Sequence, residues 1–166
     1  MTYEETTDPL RGVEAHPGTG HYGVFDHGAH VWAYAPDGGT PVLWMSARSE
    51  FAEGAPIRGG IPVVFPWFGT GPDGTRKPPH GFARLDTWHR SDIKDTIAQD
   101  GRLLVEYELD YAMDHQDFPY DYTAYVRVKF TPEYLQVFME GTNDGEEPFT
   151  FESAFHGRTL ATMSAS

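Results

Sequence analysis

Residues 103–111 have the sequence LLVEYELDY, in which apolar or aromatic residues occupy every second position. Residues 122–130, YTAYVRVKF, follow the same pattern, and residues 135–139, LQVFM, follow it more weakly. A period of two places alternate side chains on opposite faces of a strand. Three such segments in succession predict an antiparallel sheet with one face covered by a core.

The N-terminal part of the chain carries weaker strand signals. We interpret residues 1–20 as an irregular lead-in, and we predict strands at residues 21–26 and 30–35. The sequence Pro-Asp-Gly-Gly at 36–39 is typical of a turn. Residues 41–46 are apolar enough to form a returning strand, so this part of the chain is predicted to form a hairpin.

Residues 47–84 contain seven glycines and six prolines. A long irregular segment inside a compact domain is usually functional or disordered. This one also contains Val63, Phe65 and Trp67, so it is too apolar for a free linker. We predict an ordered loop that packs on the fold. A last strand is predicted at residues 149–156, and no window shows a helical period.

Composition limits the function classes. The chain has 166 residues, typical of a single domain, with a net charge of −13 and no cysteine. A strongly acidic surface repels nucleic acid and anionic membranes, so neither is an expected partner, and an anionic ligand would need local cations. No apolar run could cross a bilayer and residues 1–8 lack a signal core, so a cytoplasmic location is expected.

The first candidate motif is the sequence Ile-Arg-Gly-Gly-Ile-Pro at residues 57–62. Glycines allow the backbone to approach a ligand closely. Arg58 beside them could present its planar guanidinium to a phosphate. The alternative is a tight turn with a solvated arginine.

The second candidate motif is His-Gly-Phe-Ala-Arg at residues 80–84. His80 could exchange protons or form hydrogen bonds near neutral pH, and Arg84 supplies a cation four residues later. The alternative is that both side chains satisfy carbonyl groups of the loop.

The third candidate motif is the run Phe-Thr-Phe-Glu-Ser-Ala-Phe-His at residues 149–156. If this run is a strand with its phenylalanines facing the core, His156 faces the opposite, more polar side. That position would suit a groove for a sugar. The alternative is an ordinary surface histidine at the end of a strand.

Four other histidines lie near one another in the sequence: His16, His21, His27 and His30. Metal binding is conceivable there, but their spacing matches none of the usual ligand patterns. We therefore predict no metal site. A phosphate-binding loop of the strand–helix type is also excluded, because Gly60 is followed by Ile-Pro rather than by a helix start.

Taken together, several segments resemble the hexose-6-phosphate mutarotases, the glucose-6-phosphate 1-epimerases of the aldose-1-epimerase-like proteins. The resemblance covers residues 28–156 and rests on PVLWMS at 41–46, IRGGIPVVFPWFG at 57–69 and HGFAR at 80–84. It implies an all-β fold, an antiparallel β-sandwich of the galactose mutarotase-like supersandwich type. It also implies a sugar site on the concave face.

The resemblance implies roles for four residues. Arg58 and Arg84 would hold the phosphate of a sugar phosphate, His80 would position the sugar, and His156 would act as the catalytic general acid. A carboxylate would remove the proton of the anomeric hydroxyl while His156 protonates the ring oxygen. The ring then opens, rotates about C1–C2 and closes on the other face. This chemistry implies no metal and no other cofactor.

The family's glutamate base lies well beyond the position of His156, whereas this chain ends at Ser166. We therefore expect residues 1–166 to be a single domain, the N-terminal portion of the fold, incomplete at the C-terminus, with an atypical tail at 157–166. Glu152 is an unsuitable base, because four residues of strand span about 13 Å. Weak or absent epimerase activity is expected. The alternatives are a sugar-phosphate binding module without catalysis and an inactive fragment.

Overall fold

The computed structural model describes residues 3–94, 100–112 and 115–159, which form strands and loops without helices. No helix long and apolar enough to cross a membrane is found in those ranges. The strands are β1 (Tyr3–Thr6), β2 (Gly12–Ala15), β3 (His21–Phe25), β4 (His30–Ala35), β5 (Val63–Val64), β6 (His89–Lys94), β7 (Leu103–Ala112), β8 (Asp121–Phe130), β9 (Leu135–Asn143) and β10 (Ala154–Phe155).

The first sheet consists of β1, β2, β3 and β4 in that order, each antiparallel to its neighbour. In the register of β2 and β3, Ala15 lies opposite Tyr22. The pairing of β3 with β4 shifts between Gly23 and Val24. Such a bulge increases the local twist of the sheet and redirects a side chain.

The second sheet consists of β6, β7, β8 and β9, again antiparallel and in chain order. The alternation seen in the sequence is realised on β7 and β8, where residues from Leu103 to Leu109 and from Tyr122 to Phe130 are buried at every second position. The predicted antiparallel sheet with one covered face is therefore confirmed.

The core lies between the two four-stranded sheets. Tyr22 of β3 stacks on Phe130 of β8 with ring centroids 5.0 Å apart. The Tyr22 hydroxyl donates a hydrogen bond of 3.0 Å to the Gly101 carbonyl, and the Tyr34 hydroxyl donates one of 2.9 Å to the Thr131 carbonyl. These contacts join the inner faces of both sheets, which confirms the predicted all-β sandwich.

The long segment 47–84 is ordered and packed on the fold, as predicted. Val63, Val64, Phe65 and Trp67 are almost fully buried in the core. Within this segment, β5 pairs with β10, so that Ala154 lies opposite Val64 and Phe155 opposite Val63.

Three expectations from the sequence are wrong. The predicted lead-in at 1–20 contains the strands β1 and β2. Residues 41–46 do not form a returning strand, and a single hydrogen bond, from the Val42 amide to the Tyr34 carbonyl, joins them to β4. Of residues 149–156, only Ala154–Phe155 form a strand, and Phe155 is 40% exposed rather than buried.

The reason is long-range hydrogen bonding, which periodicity does not reveal. The Trp44 amide donates to the Arg158 carbonyl, and the Trp44 carbonyl accepts from the Gly60 amide. Residues 41–46 therefore lie between two segments that are distant in sequence. Strand β6 was not predicted because its sequence, HRSDIK, is mainly polar.

Candidate functional site

One cavity of about 670 Å³ brings together the four residues that the sequence singled out. Arg58, His80, Arg84 and His156 all line it. They come from three segments of the chain: the Gly-Gly loop, the irregular segment before β6, and the residues that follow β10. Trp44, Arg48, Glu50 and Arg158 lie in the same wall.

Gly60 joins the segments that form the cavity. Its amide donates to the Trp44 carbonyl at 2.8 Å, and its carbonyl accepts from the Arg158 amide at 3.0 Å. Its φ of 58° lies in the left-handed region that favours glycine. A Cβ at this position would lie 2.3 Å from the Val31 carbonyl oxygen, so the packing also requires the absence of a side chain.

The backbone of Arg58 is fixed, while its side chain is exposed along the cavity. The Arg58 amide donates to Ser49 Oγ at 3.0 Å, and Ser49 Oγ donates to the Arg58 carbonyl at 2.7 Å. Among the described contacts, the Arg58 guanidinium has no hydrogen bond or ion pair. It is therefore available to a ligand without first breaking a protein contact.

A buried histidine, His30, holds the Gly-Gly loop next to Arg58. His30 is 1% exposed, and its Nε2 lies 2.9 Å from the Gly59 carbonyl oxygen. A carbonyl can only accept, so His30 must donate through Nε2–H. Burial lowers the pKa of His30 to about 3, despite the opposing effect of this hydrogen bond. His30 is therefore a neutral donor at physiological pH, and it holds the peptide next to Arg58.

His80 has a defined tautomer. Its Nδ1 accepts a hydrogen bond of 3.1 Å from the Gly69 amide, and its own amide donates to the Gly69 carbonyl at 2.7 Å. In the neutral ring the proton therefore lies on Nε2, which is left as a donor. Burial lowers the pKa of His80, and the nearby Arg84 and His156 lower it further. The His80 ring centroid lies 6.3 Å from that of His156.

Arg84 is half-buried and only partly satisfied. Its Nη2 donates to the Pro79 carbonyl at 2.7 Å, as the structural alternative for this motif predicted. Its Nε is buried without a hydrogen-bond partner among the described residues. Desolvation lowers the pKa of Arg84, and the charge of Arg58 lowers it further. Two like charges in a partly desolvated space favour an anion between them.

The segment after β10 supplies His156 and a further cation, Arg158. The His156 amide donates to the Pro62 carbonyl at 3.2 Å, and the Arg158 amide donates to the Gly60 carbonyl at 3.0 Å. Both side chains line the cavity. The guanidinium carbon of Arg158 lies 6.0 Å from the ring centroid of Trp44, in a cation–π contact.

Sequence reasoning missed Arg158, because residues 157–166 were assigned to an atypical tail. Its spacing was a usable signal: residues two apart in an extended segment share a face, so Arg158 follows His156 into the cavity. Leu43 and Thr159 form an isolated bridge beside it. The rest of that tail, residues 160–166, lies outside the described residues.

The cavity is cationic although the whole chain is strongly acidic. Its described lining contains four arginines, at 48, 58, 84 and 158, and one carboxylate, Glu50. Glu152 is not part of this lining; its Oε2 accepts a hydrogen bond of 2.9 Å from the Phe68 amide. The site therefore has the local cations that an anionic ligand needs on a chain of net charge −13.

Chemically, the cavity combines four guanidinium groups with two imidazoles. Planar guanidinium groups bind phosphate oxygens through paired charged hydrogen bonds. Imidazoles are suited to proton transfer and to hydrogen bonding with hydroxyl groups. The exposed ring of Trp44 adds a flat apolar surface of the kind on which a sugar ring can pack.

Comparison with known proteins gives consistent results. A family model described as aldose 1-epimerase matches residues 15–157. A protein of Escherichia coli K12, named as a candidate glucose-6-phosphate 1-epimerase, is 35% identical over 146 residues, which are 84% of this chain and 46% of that protein. A similarly named protein of Salmonella typhimurium is 34% identical over 103 residues, 61% of this chain and 34% of that protein.

Two solved structures share the fold. The crystal structure of a candidate mutarotase, YeaD, from Salmonella typhimurium superposes with a TM-score of 0.72 and 26% identity, covering 82% of this chain and 45% of that one. The structure of the Slr1438 protein from Synechocystis superposes with a TM-score of 0.73 and 21% identity, covering 97% and 59%. This chain spans about half the length of these relatives.

Proposed function

Because this chain belongs to the aldose 1-epimerase family, we propose that its cavity binds a hexose 6-phosphate and interconverts the α and β anomers of that sugar. The observation that carries the proposal is the convergence of Arg58, Arg84, His80 and His156 on one cationic cavity. The names of the relatives, which refer to glucose 6-phosphate, support the choice of substrate class.

Arg58 and Arg84 bind the phosphate. Arg58 offers a guanidinium that forms no hydrogen bond or ion pair among the described contacts, and Arg84, half-buried in the same lining, uses only its Nη2 in a described hydrogen bond, to the Pro79 carbonyl. The phosphate relieves the repulsion between the two cations, and each charged hydrogen bond contributes on the order of 1.5–3 kcal/mol. Holding the phosphate fixes the position of the ring relative to the histidines.

His80 orients the sugar. Its Nδ1 is occupied by the Gly69 amide, so its Nε2–H donates to a sugar oxygen. The lowered pKa of His80 keeps the ring neutral, with one fixed donor. A neutral donor recognises a hydroxyl or ring oxygen without competing for the phosphate.

His156 is the general acid in the proposed reaction. It protonates the ring oxygen as the C1–O5 bond breaks, while a carboxylate takes the proton of the anomeric hydroxyl to give the open-chain aldehyde. Rotation about C1–C2 and reversal of both proton transfers close the ring on the opposite face. A positioned acid contributes roughly 10²–10⁴ in rate.

A second candidate function is binding without turnover. It is favoured by the scarcity of carboxylates: Glu50 alone, among the described residues of the lining, could accept the anomeric proton. Glu152, four positions before His156, is held by the Phe68 amide instead. In this case Arg58, Arg84 and His80 bind the ligand as proposed, and Glu50 does not take up the anomeric proton.

Anomer exchange of glucose 6-phosphate, followed by magnetisation-transfer NMR, separates the two functions. For an epimerase we expect exchange above the spontaneous rate, reduced about 10²-fold or more in His156→Ala. His89→Ala, an exposed residue of β6, is the matched control and should retain the rate. Binding of glucose 6-phosphate without anomer exchange would favour the second function. If neither binding nor exchange is observed, both proposed functions are contradicted.

A further inference from the structure

A second group of titratable side chains lies at the end of the β2–β3 hairpin, apart from the cavity. Glu14 Oε2 is 2.9 Å from His21 Nε2 and 3.9 Å from His16 Nε2. One ligand atom from each residue lies within 4.8 Å of the other two. We propose that Glu14, His16 and His21 form a binding site for a divalent first-row transition cation, with Zn²⁺ as the probe.

Strand pairing, rather than spacing along the sequence, creates this group. Ala15 lies opposite Tyr22, so His16 and His21 face each other one position further along. Their rings stack with centroids 4.6 Å apart. Glu14, two residues before His16, shares the same face. The usual sequence patterns for metal ligands do not include this cross-strand arrangement, which is why the sequence argued against a metal.

The distances suit a tetrahedral cation. Ligand atoms bound to Zn²⁺ at about 2.0–2.1 Å lie roughly 3.3 Å from one another in a tetrahedron. The two distances from Glu14 Oε2, 2.9 and 3.9 Å, fall on either side of that value, and the ligand atoms of His16 and His21 lie within 4.8 Å of each other. Small rotations of the side chains would therefore complete the geometry, with water in the fourth position.

The surroundings hold the ligands and leave them accessible. The rings of Trp32 and His21 pack at nearly right angles, with centroids 4.9 Å apart. Gly23, opposite Glu14, has no side chain, and a Cβ there would lie 2.5 Å from the Trp32 ring. The His16 side chain is 54% exposed, so a hydrated cation can reach the group.

Charge and donor type indicate the class of ion. In the described part of the chain, the ion-pair partners of Glu14 are His16 and His21, and no lysine or arginine neutralises it. The acidic chain attracts cations in general. Two imidazoles with one carboxylate suit Zn²⁺ and its first-row neighbours, whereas Mg²⁺ and Ca²⁺ prefer oxygen ligands.

Calorimetric titration of the chelator-treated protein with zinc chloride tests the site. We expect one saturable equivalent that excess Mg²⁺ does not displace. His16→Ala and His21→Ala should each weaken binding by about tenfold or more, since even the loss of a group that only supports a ligand costs that much. His89→Ala, a histidine exposed on β6, should bind as tightly as the unmodified protein.

Thermal unfolding gives an independent measurement. Zn²⁺ that binds the folded chain at this site raises the unfolding temperature of the protein and of His89→Ala, and not that of the doubly substituted His16→Ala, His21→Ala protein. Absence of saturable binding would overturn the proposal. So would binding that persists in the double variant, or that is lost in His80→Ala, since that would move the ion to the arginine-lined cavity.

Discussion

Arg58 and Arg84 carry like charges into one cavity, and each has donor capacity that the described residues leave unused. A neutral sugar would leave the repulsion between them in place. A phosphate would remove it, because two negative charges then lie among the guanidinium groups. At the residue scale, the electrostatics of this pair are the reason for choosing a phosphorylated ligand.

The sequence identified Arg58, His80, Arg84 and His156 because they lie in long motifs that resemble a known family. Arg158 was missed although it lies two residues after His156 in an extended segment, and its position in the cavity also depends on hydrogen bonds to Trp44 and Gly60. Those bonds join residues about 100 positions apart. Local sequence patterns do not reveal such long-range hydrogen bonds, whereas the structure does.

His30 predicts a pH dependence of stability. Its pKa is about 3 in the folded protein, against about 6.5 in an unfolded chain. Above pH 6.5 the ring is neutral in both states, so its protonation does not reduce the free energy of unfolding. As the pH falls from 6.5 towards 3, the unfolded chain takes up a proton that the folded one does not. Stability should then decrease by about 1.4 kcal/mol per pH unit from this group.

Urea unfolding between pH 7 and pH 4 measures the effect. We expect His30→Gln to be less stable than the unmodified protein at pH 7, with the difference narrowing as the pH falls. His89→Gln is the control, since that side chain is exposed and its effect on stability should be small at every pH. A His30→Gln difference that stays constant with pH would contradict the assignment of a buried neutral histidine.

At the scale of elements, the cavity depends on segments that are not regular strands. Residues 41–46, 57–62 and 156–159 are held side by side by single hydrogen bonds and isolated bridges. Gly60 contacts residues of three other segments: Trp44, Arg158 and, from β4, Val31.

Gly60→Ala tests this arrangement against a matched glycine. Both Gly60 and Gly74 have left-handed φ, at 58° and 74°, so alanine at either incurs about 1–2 kcal/mol of backbone strain. At Gly74 the new methyl group meets nothing within 4 Å, whereas at Gly60 it meets the Val31 carbonyl and His30 Nε2. We expect Gly60→Ala to lose clearly more unfolding free energy than Gly74→Ala, and to lose ligand binding as well. Equal losses in chemical denaturation would contradict the role assigned to Gly60.

Whether a strand has one regularly buried face explains whether the sequence could predict it. Strands β7 and β8 were found because one face of each is buried, which imposes a period of two. Strands β1, β2 and β6 were missed, because short or polar strands are defined by their neighbours rather than by their own pattern. The Gly- and Pro-rich segment 47–84 was correctly expected to be ordered, from its apolar residues alone.

At the scale of the whole molecule, a chain of net charge −13 concentrates four arginines in one cavity. The rest of the surface is acidic and repels anions, so anions are attracted to this cavity alone among the described parts of the chain. The family and the fold predicted from the sequence are confirmed by a family model over residues 15–157 and by the superposed structures.

The phosphate-binding role of the cavity is tested most directly by comparing the binding of glucose 6-phosphate and glucose by calorimetry, in the unmodified protein, Arg58→Ala and the control Arg102→Ala. Arg102 is an exposed arginine that pairs with Asp100 outside the cavity. We expect saturable binding of the phosphorylated sugar that weakens roughly tenfold or more in Arg58→Ala. Arg102→Ala and the affinity for glucose should change little. No binding of glucose 6-phosphate, or equal losses for both sugars in Arg58→Ala, would contradict it.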